Sequence, residues 1–402
     1  MMPRRGVGDL DRPDIVPVTD ARTLRQFIRL PWKVYREDSF WVPPLIVDMQ
    51  KVLDKTKYPF FDHSCADFFI AVQHGEVVGR IAAILNNNHN RYHNESTAFF
   101  GFFESIHDQD VASALLDRAA QWARDRGMHE LRGPMNYSTN ETVGTLIEGF
   151  DSCPCLMMPH NPRYYPELIE KAGFDKAMDL YAWWLLTEKG LNPKIIRVGE
   201  MVLKEEGIRI RTIDMKKFWD EVEVLKRIYN DAWSTNWGFV PMTDAEFRHM
   251  AKDLKTIVDP RVVLIAEKNG EPVAFSLALP DFNQALIKIN GRLLPFGLPK
   301  LIYYGRHIRQ VRVLALGIAK KVQNWGGLGA ALYYESFRRG VAAGYQSCEF
   351  SWTLENNDLI NRSMRLFGAE VYKRYRIYQK ALPAFSSSSA STSTAVRISS
   401  SV

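Results

Sequence analysis

Apolar and polar positions along the chain predict two successive segments with the same order of elements. Each segment contains a strand hairpin, then a strand, a helix, a strand, a second helix and a closing strand. In the first segment these elements are predicted at residues 67–73, 76–85, 98–103, 111–126, 130–133, 162–172 and 178–186. In the second they are predicted at residues 262–268, 272–279, 311–318, 328–343, 346–354, 358–367 and 371–379, after a helix at 218–233. The repeated order indicates an internal duplication in an α+β (mixed α/β) protein.

The same pattern predicts where the units begin and end. Residues 14–187 and 208–382 are expected to form the two units, joined by a connector at 188–207. Residues 1–13 are polar and rich in glycine and proline, and we expect them to be disordered. Residues 386–402 form a Ser/Thr tract that buries too little apolar surface to offset its ordering entropy, so we expect a disordered tail there.

Composition excludes several classes of protein. The 402 residues are 46% hydrophobic and 24% charged, which suits a large packed core. Four cysteines exclude a disulfide-built secreted scaffold. No apolar run approaches the roughly 20 residues of a membrane span, and no signal peptide is evident. We expect a cytoplasmic protein without a membrane span. The net charge of +6 is too mild to predict a nucleic-acid partner.

A glycine-rich turn lies between the strand at 311–318 and the helix at 328–343. It contains Gly326, Gly327 and Gly329, and Lys320 and Lys321 precede it. Glycines allow an anion to approach backbone N–H groups, and a helix N-terminus adds positive potential. The turn matches neither a Walker A loop nor the dinucleotide-binding GxGxxG motif. It predicts a cradle for a pyrophosphate, and an ordinary glycine-rich loop is the alternative.

Over residues 208–382 the second unit resembles the GNAT superfamily, the acyl-CoA-dependent N-acyltransferases. That family carries a strand, Q/R-x-x-G-x-G/A and then a helix, which Gly327-Leu328-Gly329 fits. Asn357 and Gly368 have the spacing of the family's next landmarks. Two positions depart from the family pattern: Asn324 stands at the Arg/Gln position, and Met364 stands where the family often has tyrosine.

The resemblance implies a cosubstrate, a reaction and a set of contacts. The cosubstrate would be acetyl-CoA or another acyl-CoA, and the reaction would transfer an acyl group, expected to be acetyl, to the amine of a small molecule or peptide. No metal is implied. The predicted acyl-CoA contacts are Leu316, Gly317, Ile318, Asn324, Gly326, Gly327, Gly329, Ala330 and Asn357. Two alternatives are a non-catalytic acyl-CoA-binding or ligand-binding protein and a Fem-type aminoacyltransferase, although the latter lacks such a glycine loop.

Acyl transfer to an ammonium needs a base, and the strand at 347–355 offers two carboxylates. Alternation places Glu349 and Glu355, with Ser351 and Thr353, on a polar face opposite Cys348, Phe350, Trp352 and Leu354. Glu349 and Glu355 are therefore the candidate catalytic residues. The alternative is that both are solvated surface carboxylates.

The first unit differs where the second has its glycine turn. Residues 104–110 contain three carboxylates and no glycine, so we expect two tandem GNAT-like units of which the first has lost the acyl-CoA loop. It has instead a stretch at 133–165 that is dense in Asn, Tyr, Met and Gly, typical of either a substrate-recognition loop or a packed structural loop. In the second unit, an apolar and basic excursion at 287–309 could cover an acyl chain, touch a membrane surface or pack in the core.

Overall fold

The computed structural model describes residues 12–323 and 325–383. The two ends predicted to be disordered fall almost entirely outside these ranges, and so does Asn324. In the ranges that the structure describes, no helix combines the length and the apolar sequence that crossing a bilayer requires.

The described residues form strands and helices in alternation, as the sequence pattern predicts. The strands are β1 Asp14–Pro17, β2 Cys65–Gln73, β3 Glu76–Leu85, β4 Thr97–Ser105, β5 Glu130–Gly133, β6 Met135–Asn136, β7 Thr142–Val143, β8 Thr145–Glu148, β9 Asp175–Leu186, β10 Ile208–Thr212, β11 Val263–Lys268, β12 Glu271–Pro280, β13 Gln310–Ile318, β14 Ser347–Leu354 and β15 Glu370–Ala381. The helices are α1 Ala21–Arg29, α2 Pro31–Val34, α3 Ile46–Val52, α4 Asn87–His93, α5 Gln109–Arg124, α6 Tyr165–Lys171, α7 Pro193–Leu203, α8 Phe218–Trp233, α9 Asp244–Leu254, α10 Asn283–Leu286, α11 Gly297–Gly305, α12 Lys320–Gln323, α13 Leu328–Ala342 and α14 Asp358–Phe367. The predicted mixed α/β class is confirmed.

Glycine and asparagine end the elements where the sequence predicts. The hairpin of β11 and β12 turns at Asn269 and Gly270, which both have positive φ. Gly368 follows α14 in the left-handed conformation, where a side chain would be strained. At the other end of α14, Asn357 caps the helix by accepting a hydrogen bond from the Ile360 N–H at 3.3 Å.

Most of the strands join one continuous sheet. Its order is β1-β2-β3-β4-β5-β15-β9-β14-β13-β12-β11-β10, with β8 also paired to β15. β4 with β5 and β13 with β14 are the parallel pairs, and each is the centre of one unit. The sheet is therefore a tandem of two similar halves that meet at β15 and β9.

The two units exchange their closing strands at this meeting point. β15, the last strand of the second unit, pairs with β5 of the first unit, with Tyr378 opposite Gly133. β9, the last strand of the first unit, pairs with β14 of the second, with Trp183 opposite Phe350. Both exchanged strands have a buried core, since Trp183, Tyr375 and Tyr378 are at most 1% exposed. Each unit is thus completed by a strand from the other.

Helices cover both faces of the sheet. On one face of the first unit, α5 and α6 pack apolar side chains such as Leu115 and Ile169 against β2 to β4. In the second unit, α13 and α14 pack on one face, with Phe367 in that core, and α8 packs on the other through Leu225 and Ile228. The predicted connector contains α7, which lies along α13, where Gly199 faces Tyr334.

We predict that removing β15 unfolds both units. A chain that ends at Gly368 leaves the inner edges of β5 and β9 without their partner strand, and unpaired buried backbone groups are costly. Thermal unfolding followed by circular dichroism is expected to show loss of the cooperative transition. A chain that ends at Pro383 keeps β15 and is the control, expected to unfold at the parent temperature. If the first unit of the chain that ends at Gly368 still unfolds cooperatively at the parent temperature, the first unit does not depend on the exchanged strand β15.

Candidate active site

The two parallel strands at the centre of the second unit separate halfway along their length. β13 and β14 pair from Gln310 to Val313 on β13, opposite Ser347 to Phe350 on β14. Beyond this point β13 stays with β12 as far as Ile318, whereas β14 follows β9. The edge of β13 after Val313 therefore faces an opening. A ligand with amide groups along an extended chain can bind to such an edge.

An apolar cavity of about 160 Å³ begins at this opening and continues beneath α8 and α9. Arg312, Ser351 and Trp352 line its end near the two strands. The hydrophobic walls that it does not share with other spaces include Phe218, Val222, Leu225, Phe247, Ala251 and Val258. A dry apolar cavity of about 150 Å³ can hold a benzene-sized ligand. This inner cavity therefore has room for several carbons of an alkyl chain, well beyond an acetyl group.

A wider cleft of about 840 Å³ lies outside the inner cavity, between the first unit, α9 and the helices α10 and α11. The carboxylates of Asp48, Glu246 and Asp253 line it with the cations Lys51 and Arg306, and apolar side chains complete its wall. The cleft and the inner cavity share Asn140, Glu141, Met157, Met242, Met250 and Leu254 as wall residues. The two spaces therefore meet beside residues 140–157 of the first unit.

Glu141 is the ionisable group at this junction. It lines the inner cavity, the outer cleft and a third space of about 360 Å³ in the first unit, so its side chain is neither fully buried nor exposed. Its carboxylate accepts hydrogen bonds from the Tyr58 hydroxyl and the Tyr137 N–H. Desolvation raises the pKa of Glu141 to about 7, more than these hydrogen bonds lower it. A carboxyl with this pKa can exchange a proton near neutral pH.

Glu349, a predicted catalytic residue, is completely buried and not solvated. It accepts hydrogen bonds from the hydroxyls of Ser351 and Tyr372, and its Oε1 lies 3.6 Å from Nε of Arg312. Arg312 Nε donates to Ser351 Oγ at 2.7 Å. Glu349 thus stands behind Ser351 and Arg312, which themselves line the inner cavity. In this position the Glu349 carboxylate compensates the positive charge of the buried Arg312 side chain.

The alternation predicted for this strand holds only as far as Ser351. The register of β14 against β9 shifts between Phe350 and Thr353, so the later residues change faces. Trp352 lines the inner cavity beside Ser351. Thr353 faces the other way, where it accepts a hydrogen bond from Trp183 Nε1 at 2.8 Å. The predicted grouping of Thr353 with Glu349 is therefore wrong, because a local irregularity breaks the two-residue period.

Glu355, the second catalytic candidate, lies beyond the end of β14 in an ion-pair network. It accepts from Lys176 Nζ at 2.7 Å and from the Asp179 N–H at 3.0 Å. Asp179 in turn binds Arg376. The structure gives Glu355 a role in joining β14 to β9, and its catalytic role stays a prediction. Asn357, the helix cap of α14, has likewise a structural partner for its side-chain oxygen.

The predicted pyrophosphate cradle forms the start of α13. The first intrahelical bond runs from the Ala331 N–H to the Gly327 carbonyl at 2.9 Å. It follows that the N–H groups of Leu328, Gly329 and Ala330 precede the helical ladder and remain for a ligand or solvent. Gly326 is exposed, and a Cβ added there would meet nothing within 4 Å. This geometry fits a pyrophosphate.

Gly327 has a further reason to be glycine. Its φ is +98°, and an added Cβ would lie 2.8 Å from a methyl of Val202 and 3.1 Å from one of Val198, both on α7. The glycine therefore permits close packing of α7 on the start of α13, beyond the approach of an anion that the sequence suggested. Of the two upstream lysines, Lys321 pairs with Glu271.

The remaining predicted contacts follow β13. Leu316, Gly317 and Ile318 lie opposite Ser276, Phe275 and Ala274 of β12. The Ile318 carbonyl accepts from Gln323 Nε2 at 3.1 Å, so a ligand that binds this carbonyl must displace an exposed glutamine side chain. These contacts stay predictions.

In the corresponding turn of the first unit, a side chain of the turn itself already accepts hydrogen bonds from the N–H groups at the start of the helix. Asp108 caps α5 by accepting from the N–H groups of Asp110 at 2.8 Å and Val111 at 3.3 Å. Glu104 is buried and accepts from the hydroxyls of Tyr35 and Tyr165. A carboxylate thus occupies the place that an anion would need. Among the residues that the structure describes, no group of three or more His, Cys, Asp or Glu side chains could hold a metal ion.

The stretch at 133–165 reaches across to the second unit. Asn140 Nδ2 donates to the Val240 carbonyl at 2.9 Å, and the Leu156 N–H donates to Asp281 at 2.8 Å. Arg312 Nη1 donates to the Leu156 carbonyl at 2.5 Å. This stretch therefore covers the opening between β13 and β14. The composition of this stretch marks it as a possible recognition loop, but nothing in the sequence distinguishes Glu141, because only the contact between the units places that carboxylate at the cavities.

Comparison with known proteins agrees with this architecture. Residues 29–133, in the first unit, match the Acetyltransferase (GNAT) family. Protein YghO of Escherichia coli (strain K12) is 36% identical over 365 residues, which cover 89% of this chain and 93% of that protein. Bacterial ceramide synthase of Caulobacter vibrioides is 35% identical over 374 residues, which cover 92% of this chain and 97% of that protein.

A solved structure is similar over both units. The tandem GNAT protein from the clavulanic acid biosynthesis pathway aligns over 92% of this chain and 99% of its own, with a TM-score of 0.56 at 13% identity, and so shares the fold. The family match falls on the first unit, whereas the motifs in the sequence lie in the second, so both units carry the family's features. Together with two relatives that are more than 30% identical over most of their length, these findings show that the chain belongs to the GNAT family and is an N-acyltransferase.

Proposed function

We propose that this enzyme transfers a fatty acyl group from acyl-CoA to the amino group of a lipophilic amine. The observation that carries the proposal is Glu141, whose pKa is raised to about 7 and which lies between an apolar cavity and a carboxylate-lined cleft. The first space suits a hydrocarbon chain, and the second suits an ammonium group.

The donor would follow the second unit from α13 to the inner cavity. The free N–H groups at the start of α13 would hold the pyrophosphate, and the edge of β13 would bind the amide groups of the pantetheine arm. The thioester would then reach the point where β13 and β14 separate, beside Arg312 and Ser351. Several carbons of the acyl chain would lie in the inner cavity, and this favours a longer chain than the acetyl group that the sequence led us to expect.

The acceptor would approach through the outer cleft. Asp48, Glu246 and Asp253 outnumber the cations Lys51 and Arg306 in the cleft wall, and Lys51 pairs with Asp48. The excess of negative charge would attract an ammonium. Glu141 would take a proton from the ammonium, and the free amine would attack the thioester carbon. The C–N bond forms and the C–S bond breaks, and the sulfur leaves as a thiolate that gains a proton. The cleft and cavity hold the two reacting groups together.

The relative named bacterial ceramide synthase supports this substrate class. A ceramide is the amide of a fatty acid with a long-chain amino alcohol, so its formation joins two hydrocarbon chains at one amide. The chain described here has two partly apolar spaces that meet at one carboxyl. We therefore propose a long-chain amino alcohol as the acceptor.

The role of Glu141 predicts a specific loss of activity. Glu141→Gln is expected to lower kcat by about 10²- to 10⁴-fold, the usual contribution of a general base, and to leave acyl-CoA affinity unchanged. In the parent, kcat/KM is expected to rise with pH through about 7 as Glu141 ionises. The variant is expected to lose this rise. The measurement is amide formation from palmitoyl-CoA and sphinganine, followed by mass spectrometry between pH 5.5 and 9.

Glu349→Gln is the matched control for this experiment. It removes a carboxylate that faces Arg312 behind the cavity wall, so we expect lower thermal stability and an unchanged pH step. If Glu349→Gln loses the pH step and Glu141→Gln keeps it, the base lies on β14. No amide from the parent with any acyl-CoA would refute the proposed reaction.

The pKa of Glu141 also predicts a pH effect on stability that needs no substrate. Folding raises the pKa of this carboxyl above its ordinary value of 4.5, so its ionised form disfavours the folded state. Its stability contribution is therefore present at low pH and is lost as pH rises through about 7. The difference in free energy of unfolding between the parent and Glu141→Gln is expected to change across that range, as urea titrations at pH 5.5 and 8.5 can measure.

The donor site predicts the effect of a charge at Gly326. Gly326→Asp places a carboxylate beside the N–H groups that would hold the pyrophosphate, and an added Cβ has free space there. Losing a charge-assisted hydrogen bond costs about 1.5–3 kcal/mol, so acyl-CoA should bind about 10- to 150-fold more weakly. Calorimetry with palmitoyl-CoA measures this. Gly326→Ala, the uncharged control, is expected to bind palmitoyl-CoA nearly as tightly as the parent does. If Gly326→Asp also binds it as tightly as the parent, the pyrophosphate does not bind at this turn.

A further inference from the structure

The segment at residues 287–309, which contains α11, carries a cluster of exposed hydrophobic side chains. Leu294 is 79% exposed and Phe296 72%, and Leu298, Ile302 and Tyr303 are between 49% and 60% exposed. In the part of the chain that the structure describes, thirteen large hydrophobic side chains are exposed, and these five fall within ten residues. A concentrated apolar surface of this kind marks an interaction site.

The same segment is strongly basic. It contains Lys288, Arg292, Lys300, Arg306 and Arg309, and the sequence has no Asp or Glu between Asp281 and Glu335. Two copies of such a segment would repel each other, so its charge disfavours self-association through this surface. Protruding hydrophobic side chains beside Lys and Arg are typical of proteins that bind the interface of an anionic bilayer.

The base of the segment is held firmly by the first unit. Trp32 Nε1 donates to Asn290 Oδ1 at 2.8 Å, and the Ile46 N–H donates to the Gly291 carbonyl at 3.1 Å. Gly291 has a φ of +71°, and an added Cβ would lie 2.5 Å from the Pro44 carbonyl oxygen. The exposed tip around Leu294 and Phe296 therefore projects from a fixed base.

One side of α11 also forms a wall of the outer cleft. Leu301, Ile302 and Arg306 line that cleft, and Ile302 is at the same time part of the exposed apolar cluster. The cleft in turn reaches Glu141. A chain that leaves a bilayer at the tip of this segment could therefore enter the cleft along α11 with little exposure of its hydrocarbon to water.

We propose that residues 287–309 bind the surface of a bilayer that contains anionic lipids, and that the lipophilic amine passes from this bilayer into the outer cleft. The passage of the amine rests on the proposed function, whereas the binding to the bilayer does not. Phe296 and Leu294 insert among the acyl chains, and the five basic side chains contact the anionic headgroups.

Co-sedimentation of the full chain with vesicles tests the binding. The parent is expected to bind vesicles of phosphatidylcholine and phosphatidylglycerol at 7:3, and to bind them more weakly in 0.5 M salt or without phosphatidylglycerol. The double variant Leu294→Glu/Phe296→Glu is expected to bind at least about ten-fold more weakly, since burying one such side chain contributes about 1.5–3 kcal/mol. Leu359→Glu is the matched control, because Leu359 is 75% exposed on α14, and it is expected to bind as the parent does.

Three outcomes would overturn the proposal: a parent that does not bind the anionic vesicles, a double variant that binds as the parent does, or an equal loss in Leu359→Glu. A dimer in light scattering that the double variant disrupts, without vesicle binding by the parent, would show an interface between copies instead. Circular dichroism checks that the double variant is folded. Because sedimentation needs no turnover, a protein that binds vesicles but forms no amide would refute the proposed function alone.

If the enzyme is active, a second comparison tests the passage of the amine. The double variant is expected to acylate an amine dispersed in detergent at the parent rate and to lose at least ten-fold in rate with the same amine embedded in the anionic vesicles. An equal loss in both assays would overturn the passage of the amine along α11.

Discussion

The exchange of closing strands is the constraint on which the rest of this molecule depends. β15 completes the first unit and β9 completes the second, so neither half of the sheet has all its backbone partners without the other. The exchange fixes the first unit beside the opening between β13 and β14. As a result, residues 133–165 of one unit form a wall of the cavities in the other. The candidate site contains residues of both units because the exchanged strands join both units into one sheet.

The two carboxylates at the interface between the units, Glu349 and Glu141, differ in whether a cation compensates their charge. Arg312 and Glu349 lie within 3.6 Å of each other, and each also has hydrogen-bond partners, so their charges compensate. Removal of one partner from such a pair leaves a buried charge and costs more than the pair itself gains. Glu141 has hydrogen-bond donors but no cation among them, and its raised pKa reflects this. Without a cation beside it, the Glu141 carboxyl can take up a proton near neutral pH.

Local signals in the sequence predicted much of the fold. The Asn269-Gly270 turn and the glycine after α14 lie where the pattern placed them, and the turn at Gly326 and Gly327 does open a helix. Strand exchange could not be predicted, because the pattern of one strand does not say which of two equivalent partners it pairs with. The prediction that Thr353 shares a face with Glu349 was wrong because of a register shift between Phe350 and Thr353, which the sequence does not indicate. Glu141 lies in a stretch without periodicity, and part of its environment comes from residues more than eighty positions away, such as Tyr58.

In the proposed reaction, the inner cavity beside Arg312 and Ser351 takes the acyl chain of the donor. The most direct measurement is kcat/KM for a series of acyl-CoAs from acetyl to palmitoyl with one amine. It is made for the parent and for Ala251→Phe, which puts a larger side chain in the cavity wall and reduces the space. We predict that kcat/KM rises about four-fold for each methylene until the cavity is full, as expected from about 0.8 kcal/mol per buried methylene. Ala251→Phe should reach its maximum at a shorter chain. A maximum at acetyl-CoA, or the same chain-length profile in both proteins, would contradict the account.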